Sequence, residues 1–119
     1  MIPLVNLKRQ YTEIKGEIDS AIDSVLENAI FIKGEVVERF ERNFAALNGN
    51  KYCLSVGNGT DSLFIIMKAL GIGVGDEVIT VSNTWISSSE TISLTGAKPV
   101  FADTDDFYTM SVDSLRKSV

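Results

Sequence analysis

The sequence predicts an α/β fold. Two leading helices, over about residues 7–47, precede a βαβαβ parallel-sheet segment over about 52–103 and the opening of a further helix at 111–119. Three observations carry this. Up to Leu47, apolar residues recur at three- and four-residue steps, the spacing of one helix face. Beyond it the pattern changes to short apolar runs bounded by glycines, as strands are. Helical stretches separate those runs, and strands joined through helices lie parallel in a sheet covered on both faces.

Each element follows from its residues. Leu7, Tyr11, Ile14, Ile18, Ile22 and Val25 form one apolar stripe, opposite Lys8, Glu13, Lys15, Glu17, Asp19 and Asp23. Gly16 weakens this helix slightly, and Asn28-Ala29 close it. A second helix over Glu35 to Leu47 carries Val37, Phe40, Phe44 and Leu47 on one side and stops at Asn48-Gly49-Asn50. Tyr52 to Val56 reads as the first strand. Gly57-Asn58-Gly59 breaks it, and Thr60 opens a helix with Leu63, Ile66, Met67 and Leu70 as its apolar positions. Glu77 to Val81 is the second strand. Ser87 and Glu90 are spaced as a capping box for a helix that ends at Gly96. Lys98 to Ala102 is the third strand, and Ser111 is the N-cap of the last helix. Three parallel strands leave an open sheet edge, and the sequence stops within a helix without a capping glycine. The expectation is part of a larger domain.

Composition narrows the function. The net charge of −5 over 119 residues excludes a general nucleic-acid binder, which needs a basic face. It does not exclude an anionic ligand held by a local turn. The absence of histidine removes His-based triads and most zinc sites, and no metal site is expected. The single cysteine, Cys53, cannot form an internal disulfide, so a reducing cytoplasm is expected, with Cys53 either a small buried core residue or a reactive thiol. Met1 to Asn6 lack the features of a signal peptide, and no stretch is long and apolar enough to span a bilayer.

Two motifs carry chemistry. Val56-Gly57-Asn58-Gly59-Thr60-Asp61-Ser62-Leu63 lies between a strand and a helix. Its glycines permit a sharp bend and close approach of a ligand. The first amides of the helix lack intrahelical partners and sit at the positive end of its dipole. A phosphate there accepts from the amides of Thr60 and Asp61 and from the Thr60 hydroxyl. The motif is neither a P-loop nor a full G-x-G-x-x-G, since Ser62 fills the third glycine position. The alternative is a plain tight turn with Thr60 as N-cap. The second motif, Val81 to Ser88, holds the one tryptophan, Trp85. Ligands of open parallel sheets lie beyond the carboxyl ends of the strands. Trp85 then shares a rim with Gly59-Thr60 and can stack on an aromatic ring; otherwise it packs under a helix. The acidic residues of Phe101 to Asp106 contact a ligand or metal, or simply form a solvated turn.

Taken in order, these residues resemble the DegT/DnrJ/EryC1/StrS family of sugar aminotransferases. The likeness runs from Val5-Asn6-Leu7-Lys8-Arg9-Gln10-Tyr11 through Phe31-Ile32-Lys33-Gly34 and Phe40-Glu41 to Gly57-Asn58-Gly59-Thr60-Asp61-Ser62-Leu63, its most specific block. Gly73 to Ile79, Asn83-Thr84-Trp85, Gly96 to Phe101 and Asp103 complete it. The resemblance implies the N-terminal part of the large domain of a fold-type I enzyme dependent on pyridoxal 5'-phosphate (PLP). Gly59, Thr60 and Asp61 then hold the cofactor phosphate and Trp85 stacks on the pyridine ring. It also implies a homodimer and transfer of an amino group, usually from glutamate, to a nucleotide-linked keto-6-deoxyhexose. The products enter surface polysaccharides or deoxyaminosugars, and neither nucleic acid nor membrane is a partner.

One part of the family pattern is missing. A fold-type I enzyme needs a Schiff-base lysine and an acidic residue at the pyridinium nitrogen, and the family carries both beyond the position of Val119. None of Lys8, Lys15, Lys33, Lys51, Lys68, Lys98 or Lys117 lies in a matching motif. Lys68 is about 12 Å along the helix from Thr60 at 1.5 Å per residue. Asp103 and Asp105 do not match the pyridinium partner. No catalytic residue is therefore assigned, and the chain alone is expected to be inactive. Two other readings stay open: a stand-alone nucleotide- or flavin-binding α/β module, and a non-catalytic fragment that pairs with a homologue through its first helices.

Overall fold

The first apolar stripe forms helix α1, Leu7–Asn28. The computed structural model describes residues 3–119; Met1 and Ile2, the start of the stretch read for a signal peptide, lie outside the described residues. Asn6 caps α1, its Oδ1 accepting from the Arg9 amide at 3.0 Å. Ala29 ends it in the left-handed region, with φ 52°. Helix α2 spans Glu35–Leu47, with Glu35 and Glu38 in its first turn, where the helix dipole favours negative charge. Phe40 and Phe44 stack at 5.6 Å between ring centroids. Among the described residues α1 buries none of its side chains and α2 only Ala45. Tyr11, Ile14, Ile22, Phe40, Phe44 and Leu47, all on the expected apolar faces, are exposed.

The chain divides into two units, and the first ends at Ser55. The expected strand Tyr52 to Val56 falls at this division and does not form. The run keeps the alternating exposure of a strand as far as Val56, but a strand also requires a ladder partner. It pairs with neither strand of the sheet, and the Ser55 amide donates instead to Glu41 Oε1 at 2.7 Å. Periodicity reports which side chains face inward and not whether a neighbouring backbone is present.

The second unit holds α3 (Gly59–Ala69), β1 (Glu77–Val81), α4 (Ser87–Thr95), β2 (Lys98–Ala102) and α5 (Val112–Ser118). β1 and β2 run parallel, in register from Glu77–Lys98 to Val81–Ala102, and an ion pair at 2.6 Å joins the first two side chains. α4 is the crossover between them; it packs on α3 and both strands, and α5 packs on β2. The core is Met67, Ile92 and Ala97, with Ile72 and Val78 against it. The α/β class, the leading helices and the parallel pairing are as expected; the sheet has two strands among the described residues.

Gly96 ends α4 with φ 92°, and a Cβ there would lie 2.8 Å from Val74 Cγ2. Both the left-handed backbone and the overlap disfavour any other residue. Gly96→Ala is expected to lower stability by about 1–2 kcal/mol, the cost of a left-handed non-glycine residue. The check is the urea midpoint, which falls while the slope of the transition is unchanged.

After β2 the acidic run forms a turn bridged by Thr104 and Met110. The Asp105 carboxylate accepts from the Phe107 and Thr109 amides at 2.9 and 3.0 Å and from the Thr109 hydroxyl at 2.8 Å. The Thr109 hydroxyl holds this carboxyl below its ordinary pKa. Ser111 caps α5 as expected, accepting from the Ser114 amide at 3.2 Å. Among the described residues no helix is long and apolar enough to cross a membrane, and no cluster of acidic or thiol ligands suits a metal ion.

Candidate functional site

Asn58, rather than Thr60, caps α3. It is extended, with φ −168° and ψ 177°, and its Oδ1 accepts from the Asp61 amide at 2.9 Å. Its Nδ2 donates to Asp61 Oδ2 at 3.0 Å, so one side chain holds both the amide and the carboxylate of Asp61. The carboxylate folds back over Gly57, where a Cβ would lie 2.8 Å from Asp61 Oδ2. The first glycine thus makes room for Asp61. The second serves a different end: a Cβ on Gly59 would meet nothing within 4 Å. Gly59 and Thr60 are the first two residues of α3, and among the described residues their amides donate to no protein acceptor. The free donors of the turn are therefore Gly59 and Thr60. Asp61, expected to offer its amide, has it engaged by Asn58.

Gly59, Thr60, Ser62 and Leu63 form one wall of an open depression of about 470 Å³. Trp85, Ser87 and Ser88 form the other wall. Trp85 is 78% exposed among the described residues. The two motifs, 25 residues apart, therefore share one concavity within the second unit, on the same side of the fold.

The expected capping box at Ser87 and Glu90 is absent. Ile86 occupies the N-cap position with no side-chain bond, and Ser87 is the first helical residue. Its hydroxyl is committed elsewhere: Ser87 Oγ lies 2.7 Å from Thr60 Oγ1. This bond ties the two walls together. Asn58 and Ser87 are the residues that motif reading missed. Asn58 carried a signal, since asparagine is a favoured N-cap and Asp61 stands at the amide it caps. Ser87 carried none, because its partner is 27 residues away.

The depression suits a phosphate-bearing aromatic ligand. It presents two free amides, a threonine hydroxyl and the positive end of an 11-residue helix to an anion. An exposed indole and Leu63 supply its apolar surface. No lysine or arginine lines it. Lys68 sits in the last turn of α3 and donates to the Thr95 carbonyl at 3.3 Å.

Comparison with known proteins assigns the chain to a family. The model of the DegT/DnrJ/EryC1/StrS aminotransferase family matches residues 12–119. A UDP-2-acetamido-2-deoxy-3-oxo-D-glucuronate aminotransferase of Pseudomonas aeruginosa is 47% identical over 105 residues, covering 88% of this chain and 29% of that protein. A dTDP-3-amino-3,6-dideoxy-alpha-D-galactopyranose transaminase of Aneurinibacillus thermoaerophilus is 44% identical over 116 residues, covering 98% of this chain and 32% of its own length. DesV of S. venezuelae, solved in complex with a ketimine intermediate, superposes with a TM-score of 0.94 at 37% identity, over 99% of this chain and 32% of that one. The chain spans about a third of the length of the relatives it matches.

Proposed function

From the premise that the chain belongs to the DegT/DnrJ/EryC1/StrS aminotransferase family, we propose that it is the cofactor-holding N-terminal part of a sugar aminotransferase's large domain. The enzyme moves an amino group from glutamate to a keto carbon of a nucleotide-linked 6-deoxyhexose. Its products serve surface polysaccharide or deoxyaminosugar synthesis. It works as a homodimer in the cytoplasm. The observation that supports this most is the meeting of free helix amides and an exposed indole in one depression.

Bound PLP supplies the carbonyl carbon that carries the amino group and a ring that withdraws electrons from it. The residues of this chain bind and orient. The amides of Gly59 and Thr60, with the Thr60 hydroxyl, hold the phosphate. The Asp61 amide stays with Asn58 Oδ1 and steadies the turn. Asn58 meanwhile keeps the Asp61 carboxylate folded back over Gly57. Trp85 covers one face of the pyridine ring, excludes water from it and fixes its plane. No residue of the depression provides an amine for the cofactor or an acid for its ring nitrogen. The 119-residue chain by itself therefore does not turn over.

Equilibrium dialysis of the full-length gene product with pyridoxamine 5'-phosphate and with pyridoxamine tests the binding half of this reading. Phosphate bound by two or three charge-assisted hydrogen bonds is expected to improve affinity by at least about a hundredfold. Equal affinities would remove the phosphate site. Mass-spectrometric detection of an amino sugar, formed from glutamate and a nucleotide-linked keto sugar, tests the reaction.

A further inference from the structure

We propose that Ser87 is a positioning residue for the anion-binding turn: its hydroxyl donates to Thr60 Oγ1 and so leaves the Thr60 proton for the ligand phosphate. The inference rests on the reading of the depression as a cofactor-phosphate site.

The two hydroxyl oxygens are 2.7 Å apart, and either atom can be the donor. Burial decides the direction. Both residues line the depression, but Ser87 is only 6% exposed, whereas Thr60 is half-buried. If Thr60 donated, the Ser87 proton would be left over, since Ser87 Oγ has no hydrogen-bond partner besides Thr60 among the described residues. A donor left unpaired in a buried position costs free energy that a solvent-facing one does not. With Ser87 donating, the spare proton belongs to Thr60, at the open depression, where water or a phosphate oxygen accepts it. Hydroxyls in series also polarise one another, so the Thr60 proton becomes a better donor.

The same bond fixes the geometry of the site. Ser87 is the first residue of α4 and stands two residues after Trp85. Its carbonyl accepts from the buried Thr91 hydroxyl at 2.7 Å, which anchors it within the helix. The Thr60–Ser87 bond therefore joins the wall that offers amides to the wall that offers the indole.

The test is a double-mutant cycle on the full-length gene product, read with the same pair of ligands. Alanine is the better helix former, so Ser87→Ala removes the hydroxyl without weakening α4. Ser87→Ala is expected to weaken pyridoxamine 5'-phosphate about three- to tenfold, as for one neutral hydrogen bond. It is expected to leave pyridoxamine unchanged. In a Thr60→Ala background it is expected to add no further loss, because its only route to the phosphate is gone. Unchanged phosphate-ligand affinity, an equal loss for both ligands, or a full additional loss without the Thr60 hydroxyl each overturn the assignment. A wild-type protein that binds both ligands equally removes the phosphate reading and this inference together. A wild-type preference for the phosphorylated ligand with a silent Ser87→Ala removes this inference alone.

Discussion

Gly59→Pro is expected to leave the fold intact and to cost ten- to a hundredfold or more in affinity for pyridoxamine 5'-phosphate. Gly59 is the first residue of α3. That position tolerates proline because its amide has no intrahelical partner and its φ suits the pyrrolidine ring. The preceding residue, Asn58, is already extended, as a residue before proline must be. Proline also narrows the unfolded ensemble, so stability is expected to hold or to rise by about 0.4–1 kcal/mol. The ligand, however, loses a donor. One charge-assisted hydrogen bond contributes about 1.5–3 kcal/mol, which sets the lower range of the effect. The ring also occupies the open space beside Gly59, where a Cβ meets nothing within 4 Å. Gly59→Ala separates the two causes, since it keeps the amide and adds only a methyl group. A Gly59→Pro protein that binds the phosphorylated ligand at wild-type strength, with an unchanged melting temperature, would show that this amide plays no part.

The parts of the fold legible in the sequence are those set by local chemistry. Leu7–Asn28 and Glu35–Leu47 appear where their apolar spacing and end signals place them. Gly96 closes its helix through its left-handed backbone, and Ser111 opens its own through its side chain. What the sequence withheld depends on neighbours. Tyr52 to Val56 has the composition of a strand, but no local pattern states whether another backbone lies alongside. The Ser87–Glu90 spacing matches a capping box, yet a tertiary partner, Thr60, engages that hydroxyl. In the glycine turn, Asn58 and Thr60 are both good caps, and the position of the bend decided for Asn58. That outcome frees the Thr60 hydroxyl for the depression and leaves the Gly59 amide, rather than that of Asp61, unpartnered.

The charge of the chain adds a further constraint. At a net charge of −5, its overall field repels a phosphate. Long-range repulsion is screened over about 10 Å at 0.1 M salt, whereas amides in direct contact with an anion are not. Any anion site on this chain must therefore act at contact distance. A helix end with free amides meets that requirement, and the folded-back Asp61 carboxylate, held by Asn58, is the group that most directly opposes it. Specificity for a phosphorylated aromatic molecule then comes from the second wall.

Replacing Trp85 separates that wall from the first. Its side chain is 78% exposed, so Trp85→Ala is expected to leave the unfolding midpoint near that of the wild type. Aromatic side chains stacked on a heterocyclic base lose about 1–3 kcal/mol of binding on truncation to alanine. By that measure Trp85→Ala weakens the cofactor roughly five- to a hundredfold. The distinguishing feature is that this loss is shared. Pyridoxamine and its 5'-phosphate both carry the ring, so both weaken by the same factor, whereas Gly59→Pro penalises only the phosphorylated form. Trp85→Phe keeps a flat ring of smaller area and is expected to recover most of the loss. Equilibrium dialysis with the two ligands on the three proteins decides it. A Trp85→Ala deficit confined to the phosphorylated ligand would place the indole against the phosphate instead of the pyridine. No deficit with either ligand would leave the exposed tryptophan without a part in cofactor binding.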